Sequence, residues 1–283
     1  MGPEDLVLCC GTVSQANFRE LVEAASAGGY KGLALWPQLY DAARESGLSV
    51  ADLRRMLDDN GLEIAEHDAL LNWLPGGPSP ESLGDGLGSG LFRRTAEDFF
   101  RIADALGGRS LNVAQVFGSE LDLDVAAEAL APVCKGAADS GLVVSLEFLP
   151  WTGIPDPKTA LAIVERTGHA NAGLMVDSWH VFRGVGDIEA LRALPGERVM
   201  GVQLNDAPTT PAPDPAIETM EARLIPGEGD IDLPGFVRVL DAIGSRAPIG
   251  VEVYSSKLAA QPASEVASRC AEATRTVLAQ ARR

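Results

Sequence analysis

Short apolar runs of strand length alternate with amphipathic stretches of helix length along the whole 283-residue chain, and this alternation constrains the fold more than any other feature. "LVLCCG" (Leu6–Gly11) precedes "ANFRELVEAASAGG", and "KGLALW" (Lys31–Trp36) precedes "VADLRRMLDDNG". "LEIAEH" (Leu62–His67) leads through a Gly/Pro/Ser-rich loop to "LFRRTAEDFFRIADALGG". "SLNVAQV" (Ser110–Val116) precedes a helical pattern over Val125–Ala138. The second half keeps the rhythm. "LVVSLEFL" (Leu142–Leu149), "AGLMVDSW" (Ala172–Trp179), "VMGVQLND" (Val199–Asp206) and "PIGVEVYS" (Pro248–Ser255) each lead to a helical stretch, the third across a long loop. The helix after the sixth run is expected to be short, near Asp187–Leu194, and the last to lie around Ala263–Ala281. Glycines at helix ends (Gly28, Gly61, Gly107, Gly141, Gly168, Gly244) suit C-caps.

Strands separated by helices pair in parallel, because each crossover returns the chain to the end of the sheet at which the previous strand began. Eight such units in one domain-sized chain predict a (β/α)8 TIM barrel, α/β in class, with residues 1–283 as a single domain. An open doubly wound sheet is the alternative. It lacks its usual reason, since no GxGxxG follows a strand and no GxxxxGK[ST] occurs.

A barrel of this kind works at the carboxyl ends of its strands. Counting parity along each run places Glu147, Asp177, Gln203 and Glu252 at the ends of strands five to eight, at one height and facing inward. Two residues earlier on the same face stand Ser145, Met175, Gly201 and Gly250, three of them small. Three carboxylates converging in a low-dielectric mouth need neutralising, and no Lys or Arg lies within these four strand ends. A divalent cation answers that need. A Glu, Asp, Glu and Gln set is hard and all-oxygen, suited to Mn2+ or Mg2+, with Co2+ also admitted. A lone carboxylate at a strand end is ordinarily a helix N-cap; four matched positions on consecutive strands are harder to assign to capping.

"SLEFLP", "VDSWH", "VQLND", "GVEVYS" and the loop "RLIPGEGDID" (Arg223–Asp232) occur in that order. In this the chain resembles the xylose-isomerase-like TIM-barrel superfamily, the sugar phosphate isomerases/epimerases. That pattern has Glu on strand five, Asp-x-x-His after strand six, usually His-x-x-Asp on strand seven and Glu on strand eight. Gln203 stands where the usual His would be, and here the chain is similar to bacterial 3-dehydroshikimate dehydratases of the same fold. Those carry an Arg for the substrate carboxylate in the loop after strand three, which reads "HDALLNW" here and has none.

The resemblance implies metal-assisted proton abstraction next to a carbonyl in a sugar-like or cyclic polyol/ketone substrate. Isomerisation or epimerisation is the expected outcome, with dehydration of the same intermediate as the alternative. Glu147 and Glu252 are the expected acid/base pair, and His180 is either a proton shuttle or an orienter of Asp177. His67, Arg223, Trp36 and Trp151 are expected to touch substrate; for Arg223 the bland alternative is a salt bridge to Glu228. Trp73, Phe117, Trp179, Phe182 and Tyr254 also fall at or after strand ends and suit ring stacking or rim packing. His169, before strand six, is on the wrong face. No cation cluster or Gly-rich helix start suggests a phosphate pocket, so the small-molecule substrate is expected to be non-phosphorylated.

Charge narrows the partners. The chain has 23 basic and 40 acidic residues, a net charge of −17, and three histidines. That field repels phosphate backbones and anionic lipid, so neither nucleic acid nor membrane is expected, and the endonuclease use of this fold is disfavoured. A barrel serving as a non-catalytic subunit or sensor is a further alternative, and a homo-oligomer is left open. Four cysteines without CxxC spacing, no secretory signal pattern and no apolar run of about 18 residues suggest a reduced, cytoplasmic protein.

Overall fold

Each apolar run becomes a strand, and the strands close on themselves. The structure, a computed structural model, describes residues 1–77, 89–118, 120–184, 186 and 188–283. β1 (Leu6–Cys9), β2 (Gly32–Leu35), β3 (Glu63–Leu70), β4 (Ser110–Ala114), β5 (Val143–Glu147), β6 (Ala172–Asp177), β7 (Val199–Leu204) and β8 (Ile249–Val251) form a closed barrel in sequence order. All eight neighbouring pairs are parallel. Around them run α1 (Phe18–Gly28), α2 (Pro37–Glu45), α3 (Val50–Asp59), α4 (Ser89–Phe92), α5 (Ala96–Leu106), α6 (Leu123–Asp139) and α7 (Pro157–Arg166). The second half adds α8 (Ser178–Arg183), α9 (Pro215–Glu221), α10 (Leu233–Ala242), α11 (Ser256–Ala259) and α12 (Ala263–Ala281). This is a (β/α)8 TIM barrel. Most of the Gly/Pro/Ser-rich connection expected after strand three lies outside the described residues, as does Asp187.

Local chemistry sets the helix ends. Asn17 with Glu20 and Ser49 with Asp52 form reciprocal capping boxes on α1 and α3. Gly61, Gly107, Gly141, Gly168 and Gly244 take positive φ as expected, whereas α1 ends on Gly29 (φ 66°) rather than Gly28. The expected helix near Asp187–Leu194 is a 3-10 segment, Ile188–Ala193, and α8 begins earlier, directly on Asp177. The reason is that the Asp177 side chain accepts from the backbone N–H of Trp179 (2.6 Å) and His180 (3.2 Å) and so starts a helix.

The core has two unequal parts. Outward-facing strand residues such as Leu8, Leu33, Val144 and Leu174 join the helices in one large buried cluster. Inside the barrel the apolar part is small: Val7, Cys9, Ala34 and Ala65. Above that plug the interior turns polar. Met175 fills the space that Gly201 leaves open, where an added Cβ would come 2.4 Å from the Met175 methyl. Ser145 leans on Asn112 Oδ1 at 3.3 Å. All four cysteines are free and buried.

A bulge on β3 re-aims that strand. Leu33 pairs with Ile64, but the next residue, Ala34, pairs with Glu66, so Ala65 is an extra residue and parity inverts beyond it. Glu66 and Asp68 therefore face the barrel interior and His67 faces out.

Candidate metal centre and active site

Glu147 closes β5 with its carboxylate fixed from two sides. Oε2 accepts from Asn112 Nδ2 (2.8 Å), and Oε1 lies 3.3 Å from His180 Nε2. Asp177, fully buried, caps α8 through Oδ1 and accepts from Asn205 Nδ2 at 3.2 and 2.9 Å. Gln203 sits beside Asp177 in the strand register. Glu252 follows β8; its Oε1 accepts from Gln203 Nε2 at 3.0 Å.

No Lys or Arg lies within the four strand ends, but the structure brings a base to them from a loop. Arg223 arrives from the loop after α9 and places Nη1 2.9 Å from Asp177 Oδ2 and 3.0 Å from Glu252 Oε2. Glu228 pairs instead with Arg269. The guanidinium is held by its other donors, Nε to the Thr219 carbonyl (2.8 Å) and Nη2 to Thr219 Oγ1 (2.9 Å), and lies between the Trp179 and Tyr254 rings. Burial works against its charge, but Asp177 and Glu252 outweigh burial and raise its pKa. Asp206 sets the loop that delivers Arg223. Its carboxylate accepts from the N–H groups of Ala207, Gly227 and Ile231, and its backbone exchanges two hydrogen bonds with Leu224. Gly229 is required beside it, since a Cβ there would lie 2.4 Å from Asp206 Oδ1.

Even with Arg223 the chamber is rich in carboxylates. Burial raises Glu252 well above the usual range; Arg223 opposes this, while Asp68, Glu147 and Asp177 add to it. Glu66 is raised by burial and by Asp68, with Arg109 opposing. Asp68 is pushed up to about 6 by burial and by Glu147, against the hydrogen bonds it accepts from Asn112 and Trp36.

Gln203 supplies the informative detail. Its Nε2 donates to Glu252 Oε1 (3.0 Å) and, more weakly, to Glu66 Oε1 (3.5 Å). Two carboxylates thus dictate which end of the amide carries the oxygen. That oxygen, Oε1, is buried and has no partner among the described residues. Donor atoms of Glu147, Asp177 and His180 also lie within 4.8 Å of one another. An unpartnered buried carbonyl oxygen on the strand position beside Asp177, together with a grouping of two carboxylates and an imidazole, fits a divalent cation.

The remaining expected residues divide. Trp36 is at the mouth, donating Nε1 to Asp68 Oδ2 (3.1 Å) and stacking on Tyr254 at 6.3 Å and 15°. Trp151 is 37% exposed at the rim, edge-on to Trp179 and His180. His67 is corrected: the β3 bulge turns it away from the chamber, Nε2 meets the Gly107 carbonyl at 3.0 Å, and burial lowers its pKa to about 4. Parity had missed Glu66, Asp68, Asn112, Asn205 and Thr219. The one signal for the first two was acid on either side of a histidine, "EHD", with the period of a strand face.

A family model described as xylose isomerase-like TIM barrel matches residues 22–275. A 3-dehydroshikimate dehydratase of Pseudomonas aeruginosa is 31% identical over 246 residues, 86% of this chain and 37% of that protein. An inosose isomerase of Bacillus velezensis is 28% identical over 156 residues, 54% of this chain and 55% of that one. The chain thus spans well under two thirds of the curated relatives it matches. Among solved structures, the IOLI protein with a bound zinc atom superposes with a TM-score of 0.84 at 19% identity, covering 98% of both chains. A D-allulose 3-epimerase of Methylomonas sp. in complex with D-allulose superposes at 0.72 with 17% identity, again over 98% of both. At such identities these two superpositions speak for the fold.

Proposed function

The chain belongs to the xylose isomerase-like TIM barrel family, and on that footing we propose that it is a divalent-metal-dependent isomerase or epimerase of a sugar-like or cyclic polyol ketone. The observation that carries the reading is the unpartnered, buried carbonyl oxygen of Gln203, on an amide whose nitrogen is held by Glu252 and Glu66. Glu147, Asp177, Gln203 and Glu252 would hold the ion, with His180 beside Glu147. A divalent ion there supplies a Lewis acid for a carbonyl oxygen and offsets the negative charge that grows as a neighbouring proton leaves.

The chain's own residues account for the rest. Glu147 and Glu252 stand three strands apart, so they can address opposite faces of one substrate: one removes the proton and the other returns it. Each is oriented by a fixed amide, Asn112 for Glu147 and Gln203 for Glu252. Arg223 offers a guanidinium to substrate oxygens, held in place by Thr219. Trp36, stacked on Tyr254, offers an aromatic surface, and Trp151 and Trp179 shield His180 from solvent.

The test is proton exchange in D2O with Mn2+-loaded protein across a panel of neutral ketoses and inososes. Deuterium appearing next to the carbonyl, and lost in Glu147→Gln, supports the reading; absence across the panel despite bound Mn2+ refutes it. A dehydratase is the second reading, favoured by the 31% identity to the Pseudomonas enzyme. It shares the proton removal and differs in loss of a β-hydroxyl, seen as water release from the same panel.

A further inference from the structure

Asp68 lies outside the proposed ligand set yet inside the same chamber. Oδ2 accepts from Trp36 Nε1 and Oδ1 from Asn112 Nδ2, each at 3.1 Å. The Asn112 nitrogen also donates to Glu147 Oε2 at 2.8 Å, so one amide group ties both carboxylates into a fixed arrangement. Among the described residues, none forms an ion pair with Asp68. A carboxylate has room for about four hydrogen bonds, and Asp68 uses two.

Charge counting makes this carboxylate the odd one out. With a divalent ion bound, Glu147, Asp177 and Glu252 balance that ion and Arg223. Glu66 has Arg109 on its side of the barrel. Asp68 keeps an unbalanced negative charge beside Trp36. We propose that Asp68 is a specificity-determining residue: it accepts a hydroxyl of an uncharged, polyhydroxylated ring held against Trp36, and it repels ring substrates that carry a carboxylate. The inference rests on the proposed function only in assuming that this chamber receives a ring substrate.

The test reads equilibrium binding, so it does not depend on turnover. Mn2+-loaded protein at pH 8 is titrated by calorimetry with myo-inositol, an uncharged ring, and with quinate, a hydroxylated ring bearing a carboxylate. The parent is expected to favour myo-inositol at least tenfold, and Asp68→Asn and Asp68→Ser to narrow that ratio about tenfold, mainly by gaining quinate affinity. Circular dichroism and Mn2+ affinity identical to the parent's show that each variant keeps its fold and ion. A parent that binds quinate as tightly as myo-inositol, or variants whose ratio does not move, overturns the role of Asp68 while leaving the enzyme reading standing. A parent that binds neither ring overturns the ring-substrate assumption and with it the role of Asp68, while the ketose arm of the D2O exchange test still decides the enzyme reading.

Discussion

Removing Arg223 tests whether it serves as the chamber's built-in counter-charge. In Arg223→Met the alkyl stem that packs between Trp179 and Tyr254 is largely kept, but Asp177 and Glu252 lose the donor 2.9 and 3.0 Å away. Both are buried, so neither can recruit bulk water in its place. Breaking one side of a buried ion pair costs about 3–5 kcal/mol. At roughly 2 cal/mol/K of unfolding entropy per residue, a chain of this length loses about 5–8 °C of melting temperature for that cost. The assay is thermal unfolding in EDTA and again in saturating Mn2+, for parent and variant. Mn2+ bound by the same carboxylates supplies the missing charge, so the gap seen in EDTA should shrink by at least half. Ion binding also stabilises the parent, but less, because Arg223 already occupies part of that electrostatic role. An EDTA gap under about 2 °C would show that the two carboxylates do not depend on Arg223. A gap that Mn2+ leaves unchanged would show that ion and guanidinium do not act on the same groups.

Three further outcomes follow from the geometry. Glu147→Gln and Asp177→Asn should each weaken Mn2+ binding about tenfold or more by calorimetry, since each removes a charged oxygen donor; parental affinity in both would strike them from the ligand set. Gln203→His exchanges an amide oxygen for an imidazole nitrogen and should raise Zn2+ affinity relative to Mn2+; a ratio that stays put would place Gln203 away from the ion. His67 remains neutral in the fold down to about pH 4 but is protonated in the unfolded chain below its ordinary 6.5. The unfolded state therefore binds more protons in that window, and stability present above pH 6.5 is lost as pH falls toward 4, by about 3 kcal/mol. His67→Gln, which can keep the bond to the Gly107 carbonyl, should flatten that slope in denaturant titrations without altering substrate binding; an unchanged slope would assign it to other groups.

The barrel was legible because its signals are local: strand-length apolar runs, capping residues and helix-ending glycines each act within a few residues of themselves. The strand-end set on β5 to β8 was legible for a related reason. Parity counted back from the strand ends needs no knowledge of the neighbours, and Gln203 falls in register with Asp177. The same counting failed on β3, where the single extra residue Ala65 exchanges the faces of His67 and Asp68. A bulge depends on how two strands pair, so "LEIAEHD" alone does not display it. Arg223 was visible as a loop residue, but its reach between Asp177 and Glu252 depends on Asp206 gathering the N–H groups of Gly227 and Ile231. Both misses bear on charge. The donor list comes from strands that sequence patterning resolves, whereas the cation that neutralises it and the carboxylate left unbalanced come from a loop and a bulged strand. Donors decide whether an ion can bind. The residual charge bears on which substrate could join it, and for that reason a candidate ligand set could be proposed from strand parity while the charge around it required the fold.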